Sequence, residues 1–211
     1  MKLIVDKKVE FMAKKTIVAA AISLFVFVLI AILTVTGRLD GANASFMDWT
    51  YALETPSLTL ILKIITYISE WFVYVPIALL LIAIPRLRWR FGIPASITLA
   101  TSAVLNVLLK QCFAIPRPDI HRLITETGFS FPSGHAMNGV AFIGICVLLF
   151  MRYSSIKAHK AIISVFAVLF LLAVGFSRVY LGVHNLTDII AGYAMGLSLC
   201  LCTAGIPVKG R

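Results

Sequence analysis

The sequence predicts an all-α polytopic membrane protein, a single bundle of six transmembrane helices. Composition is the first reason: the 211-residue chain is 60% hydrophobic and 13% charged, with a mean hydropathy of +0.98, far from a soluble domain. Length is the second, because six apolar stretches approach or exceed the roughly 20 residues that cross a hydrocarbon core about 30 Å thick. Patterning is the third. No barrel-like alternation of polar and apolar residues accompanies these stretches, so within lipid the backbone must be satisfied by helices.

The first span, about residues 16–35, follows a lysine-rich start and precedes Ala42-Asn43-Ala44, which together imitate a secretory signal. An apolar run of about twenty residues exceeds the 7–15-residue core of a cleaved signal, so an uncleaved anchor is predicted. Asp40, Asp48, Trp49 and Tyr51 then mark an outer loop with an interfacial segment. The second span, about 58–84, contains Lys63 and Glu70 on roughly one helix face. They read as snorkelling or bundle-bonding residues, with Lys63 lining a ligand path as the alternative. The third span is about 91–113, the fourth 134–151, the fifth 161–181 and the sixth 186–203. Between the third and fourth, Pro116 and Pro118 stiffen a loop that either covers a site or simply connects. His121 and His159 read as loop residues. Cys112, Cys146, Cys200 and Cys202 lack zinc-site spacing and are expected to be small apolar packers. No repeat or long linker interrupts the chain, so residues 1–211 form one domain.

A net charge of +10 raises the question of nucleic acid, but the basic residues do not form one stripe. Lys2, Lys7, Lys8, Lys14 and Lys15 precede the first span, Arg86, Arg88 and Arg90 follow the second, Arg152, Lys157 and Lys160 follow the fourth, and Lys209 and Arg211 end the chain. If six spans alternate, these residues share one side. The positive-inside rule makes that side cytoplasmic, with both termini inside a plasma membrane and a lipid bilayer as the partner.

Three polar clusters lie on the opposite, outer side. Lys110 ends the third span and is followed by Arg117-Pro118; Pro132-Ser133-Gly134-His135 opens the fourth; Ser177-Arg178 closes the fifth, and His184 and Asp188 open the sixth. Ionisable groups near a bilayer are costly, so their recurrence at one level requires a cause. Lys110, Arg117 and Arg178 repel one another unless an anion sits among them, and Asp188 cannot neutralise all three. A phosphate can, since guanidinium forks match its oxygens. Ser133 sits where a helix N-cap would, and the free amides of a first helical turn favour an anion. Gly134 lets backbone approach closely, and Gly182 permits a turn before His184.

His184 and Asp188 are four residues apart, hence on one helix face. A carboxylate fixing one ring nitrogen leaves the other free to attack phosphorus, which makes His184 the nucleophile. His135 has no carboxylate at comparable spacing and is placed to give a proton to the leaving oxygen. No carboxylate cluster for magnesium and no His/Cys set for zinc are visible, so neither metal nor cofactor is expected.

The triple signature resembles the type-2 phosphatidic acid phosphatase family. The resemblance covers about residues 91–203 well and the first ninety weakly. It implies a metal-independent enzyme that hydrolyses a membrane lipid phosphate or diphosphate through a phosphohistidine intermediate. Lys110, Arg117, Ser133, Gly134 and Arg178 would bind phosphate, His135 would act as acid, and His184 would attack with help from Asp188. Phosphatidic acid, phosphatidylglycerophosphate, lysolipid phosphates and undecaprenyl diphosphate are the implied substrates, at an outward-facing site of a bacterial membrane. Phe129 and Phe131 would then shape acyl entry or belong to an aromatic belt. Two alternatives are a phosphotransferase, separated by product analysis with an acceptor lipid, and a lipid transporter. The transporter predicts polar residues deep in several spans, whereas these mid-span stretches are nearly clean.

Overall fold

A computed structural model describes residues 2–205, with side-chain surroundings from residue 14 onward. Lys209 and Arg211 lie outside the described residues, as do the side chains of Lys2, Lys7 and Lys8. The described residues form helices joined by turns and one long irregular loop, with no strand among them. Its helices are α1 (Lys2–Val35), α2 (Asp40–Ala52), α3 (Pro56–Ile68), α4 (Trp71–Ala83), α5 (Pro85–Phe113), α6 (Gly134–Tyr153), α7 (Lys157–Tyr180) and α8 (Leu186–Gly205). Five of them are long and apolar enough to cross a membrane, and α3 with α4 makes a sixth span bent by 40°. Ile17, Phe25, Leu79, Val104 and Phe166 face outward, as a lipid-facing belt requires.

The bend departs from the unbroken second span that the sequence predicts. Its cause is local: Ser69 is buried and turns its hydroxyl onto the Thr66 carbonyl at 2.8 Å, competing with the helical ladder. Glu70 consequently leaves the helix in an extended conformation and becomes the N-cap residue of α4. Lys63 and Glu70 are therefore not equivalent: Lys63 stays half-buried in α3, and Glu70 turns inward at the break.

The bundle is closed by α8. Ser23 and Ser198 tie it to α1, donating to the Ala194 carbonyl at 2.8 Å and the Ala20 carbonyl at 3.1 Å. Gly192 faces the start of α6 so closely that a Cβ there would lie 2.8 Å from the Ser133 carbonyl oxygen. Only glycine allows that approach. The interfacial helix α2 docks on the start of α8, where Asn43 accepts from the Thr187 amide and donates to its hydroxyl, both at 3.2 Å. The third span is less clean than its hydropathy implies: Thr98, Ser102 and Asn106 recur at helical spacing and are all buried, each with a hydrogen-bond partner.

Basic residues gather at one end of the bundle. Arg90 lies 5.4 Å from the centre of the Tyr153 ring, and Arg152 donates to the Ala204 carbonyl at the end of α8. The polar clusters of the sequence gather at the other end. Two expectations need correction there. Phe131 is fully buried, stacked on Phe27 and edge-on to Phe113, so it belongs to neither an acyl entrance nor an interfacial belt. Of the cysteines, Cys200 packs in the core with Cys146 against it, whereas Cys112 and Cys202 are exposed.

Candidate active site

A cavity of about 250 Å³ opens at the end of the bundle opposite the basic residues. Lys110, Arg117, Gly134, His135, Arg178 and His184 all line it, so residues separated by up to 74 positions converge as the sequence analysis requires. Ser133 and Asp188 stand behind this lining and are fully buried. The backbone joins the last two clusters directly, because the Ser133 amide donates to the Asp188 carbonyl at 3.0 Å.

His184 is 1% exposed and sits in the turn before α8, which Gly182 enters at φ +74°. Its Nδ1 lies 3.2 Å from Asp188 Oδ2. Its Nε2 lies 3.2 Å from an Arg117 terminal nitrogen. A guanidinium only donates, so Nε2 is the accepting nitrogen and the ring is neutral with its proton on Nδ1. The lone pair therefore faces the cations. Asp188 is held in turn by the Asn185 amide at 2.8 Å and by the Ser130 hydroxyl, which also lies 3.2 Å from His184 Nδ1. Burial first, then the Arg178, Arg117 and Lys110 cations, hold His184 well below the ordinary imidazole range. A ring with the ordinary value would be half protonated near pH 6.5, and this one stays neutral there. The acid limb of kcat/KM should accordingly fall below pH 6.5 in a pH–rate profile; an acid limb at or above that value attributed to His184 would contradict this environment.

Loop carbonyls anchor two of the three cations, and a helical hydroxyl of α3 anchors the third. Arg117 donates to the Thr127 carbonyl at 3.0 Å and the Val183 carbonyl at 3.0 Å. Lys110 donates to the Phe129 carbonyl and, at 3.2 Å, to the Ser130 carbonyl. Arg178 is 1% exposed and donates to Thr66 Oγ1 at 2.7 Å. Carbonyls of residues 114–131 thus aim Lys110 and Arg117, so the segment does more than cover the site or connect two spans.

Two carboxylates join the site that the sequence did not assign to it: Glu126, and Glu70, which read only as a snorkelling or bundle-bonding residue. Glu126 pairs with Arg178 through Oε1 and lies 3.7 Å from Arg117 through Oε2, so it already supplies an anion among the cations. Glu70 Oε1 lies 3.0 Å from His135 Nε2, a close ion-pair approach in which Nε2 still lacks a well-aligned hydrogen bond. His135 therefore has a carboxylate companion after all, supplied by another helix. For Glu70 a signal existed, since an acidic residue inside an apolar span marks function by default. Glu126 and Ser130 lie in an irregular loop with no periodicity to betray them. Glu70, Glu126 and His135 offer ligand atoms within 4.8 Å of one another, which corrects the expectation that no such cluster exists. The pairing of Glu126 with Arg178 and Arg117 opposes a cation there.

Ser133 departs from its expected role in one respect: it occupies the N-cap position of α6, but its side chain makes no capping hydrogen bond. Among the described residues, six buried side-chain polar atoms lack a hydrogen-bond partner, and four of them are Ser133 Oγ, His135 Nε2, Arg178 Nε and Asp188 Oδ1. Unsatisfied groups are costly and normally rare, so their concentration in one place marks a site built for a polar ligand. A neutral, oriented imidazole facing three cations can attack an electrophilic phosphorus whose oxygens those cations hold.

Comparison with known proteins places the chain in a family. The PAP2 superfamily pattern matches residues 91–210. Phosphatidylglycerophosphatase B of Bacillus subtilis strain 168 is 30% identical over 193 residues, covering 89% of this chain and 95% of the relative. The undecaprenyl-diphosphatase of Sulfolobus acidocaldarius is 32% identical over 145 residues, 66% of each chain. Among solved structures, the transmembrane PAP2-type phosphatidylglycerolphosphate phosphatase from Bacillus subtilis superposes with a TM-score of 0.81 at 26% identity, covering 88% of this chain and 94% of that one. Aquifex aeolicus LpxE shares the fold, with a TM-score of 0.62 at 22% identity over 77% of this chain and 94% of that one. With the family pattern spanning all three polar clusters and a relative matched over nearly its whole length, the chain belongs to the PAP2 superfamily.

Proposed function

We propose that this protein is a membrane lipid phosphatase that hydrolyses a lipid phosphate or diphosphate through a phosphohistidine on His184. The observation that carries the reading is the ring itself: Asp188 lies against Nδ1, and Nε2 turns its lone pair toward the arginine-lined cavity. Lys110, Arg117 and Arg178 would hold the phosphate oxygens, with Ser133 Oγ and the backbone at Gly134 completing the cradle. His184 Nε2 attacks phosphorus in line, the lipid oxygen leaves with a proton from His135, and water then cleaves the nitrogen–phosphorus bond. Glu70 is positioned to keep the His135 ring oriented for that transfer. The relatives' names supply the substrate candidates: phosphatidylglycerophosphate and undecaprenyl diphosphate.

Purified protein should release phosphate from phosphatidylglycerophosphate, phosphatidic acid or undecaprenyl diphosphate with a chelator present. Failure with all three would overturn the assignment, and activity abolished by the chelator would reassign the Glu70, Glu126 and His135 cluster as an essential metal site.

An incoming phosphate must also compete with Glu126 for Arg178. Glu126→Gln is therefore expected to tighten competitive inhibition by vanadate by about two- to tenfold. Weaker inhibition in that variant would mean that Glu126 supports the cradle rather than contesting it.

The distribution of basic residues supports an outward-facing site with cytoplasmic termini. Asp119 is 95% exposed in the loop over the cavity, so an Asp119→Cys variant should react with a membrane-impermeant thiol reagent in intact cells. Labelling confined to inverted vesicles would reverse the orientation.

A further inference from the structure

Beyond the charged end, the cavity is walled by Trp71, Tyr74 and Val75 of α4 and by Leu99 and Ala103 of α5. Asn138 of α6 lines this same stretch. It follows His135 by three residues, which on a helix places it roughly 4.5 Å further along the axis, nearly one turn away from the phosphate end. Its amide is oriented: the buried Ser102 hydroxyl donates to Asn138 Oδ1 at 2.6 Å, which leaves the two Nδ2 hydrogens for the cavity. Tyr74 of the same wall has a buried hydroxyl near it. It is 3% exposed, its hydroxyl has no hydrogen-bond partner, and that hydroxyl lies 3.3 Å from where a Cβ on Gly139 would stand, beside Asn138 in sequence. A polar donor fixed by a buried hydroxyl is out of place along a passage for hydrocarbon alone.

We infer that Asn138, held by Ser102, is a subsite for an uncharged oxygen a few bonds beyond the scissile phosphate, which selects glycerolipid monophosphates over isoprenyl diphosphates. The inference rests on the proposed hydrolase reading and adds its substrate class. In phosphatidic acid an ester oxygen, and in phosphatidylglycerophosphate the hydroxyl of the headgroup glycerol, follows the scissile phosphate at this remove and accepts a hydrogen bond from an amide. An isoprenyl diphosphate would place its second, charged phosphate here instead. The wall offers that phosphate a neutral amide among apolar side chains, with the Glu70 carboxylate on the same cavity, so its desolvation would go uncompensated. A site built to bond an oxygen also discriminates against an analogue that lacks one.

The test compares two monophosphates on the purified full chain: a short-chain phosphatidic acid and dodecyl phosphate, which has no oxygen beyond the phosphate. Asn138→Ala should lower kcat/KM for the phosphatidic acid by about tenfold and leave dodecyl phosphate within about twofold. Ser102→Ala, which keeps the amide but frees its orientation, should give the same split with a smaller factor, and serves if the first variant does not fold. Equal losses on both substrates, or no loss on either, would overturn the subsite. Wild-type protein inactive on every lipid phosphate would instead overturn the hydrolase reading on which the subsite stands.

Discussion

Replacing His184 with alanine should lower turnover at least about a thousandfold, which corresponds to roughly 4 kcal/mol of transition-state stabilisation. The ring presents Nε2 to Arg117 at the cavity wall, with Asp188 against Nδ1 on its other side. Binding should survive the change. Arg117 keeps its bonds to the Thr127 and Val183 carbonyls, and Lys110 and Arg178 do not touch the ring through hydrogen bonds, so vanadate should still bind. Steady-state rates together with vanadate binding check both halves. Retained turnover would remove His184 as nucleophile, and loss of vanadate binding would make it a structural support.

Asp188→Asn should cost between about a hundredfold and ten-thousandfold in kcat, with a much smaller change in vanadate affinity. The carboxylate does two things for His184. Its Oδ2 lies against Nδ1, which fixes the tautomer, and under the proposed mechanism its negative charge would oppose the positive charge growing on the ring as Nε2 bonds to phosphorus. An amide fills the same space, yet it carries no charge to set against that of the ring. A kcat within a fewfold of wild type would show that Ser130, Asn185 and the cations alone hold the ring.

How much of this was legible before any coordinates depends on range. His184 and Asp188 are one helical turn apart, so their pairing follows from periodicity, and the clusters containing Lys110, Ser133 and Arg178 fall where spans end. The companions of these residues were hidden because they come from elsewhere. Glu70 meets His135 across 65 positions, and only because Ser69 breaks the second span; an unbroken helix would have left the carboxylate on the face shared with Lys63. Glu126 and Ser130 sit in a loop whose backbone follows tertiary contacts such as the bond from the Ser130 amide to the Ile115 carbonyl at 2.8 Å, and no residue-type pattern encodes those. Phe131 shows the converse. Its hydrophobicity was plain, but whether it faced lipid, ligand or core was set by Phe27 and Phe113 from two other parts of the chain.

These companions also change the electrostatic argument. Counting only sequence-local groups left three cations and Asp188 in search of a phosphate. The folded site already holds Glu126 among the arginines, so affinity for an anion reflects exchange of one anion for another rather than simple neutralisation. On the proposed function, a phosphate would succeed in that exchange by presenting more oxygens to the same guanidinium forks.

Chemical trapping tests the phosphohistidine most directly. Purified protein turning over a lipid labelled in its phosphate should be quenched rapidly in alkali, where a phosphorus–nitrogen bond to imidazole survives, and the labelled peptide sequenced. The label should lie on the peptide carrying His184 and be absent from the His184→Ala variant. Label on another residue, or an unlabelled wild-type protein during demonstrable turnover at saturating substrate, would contradict attack by His184.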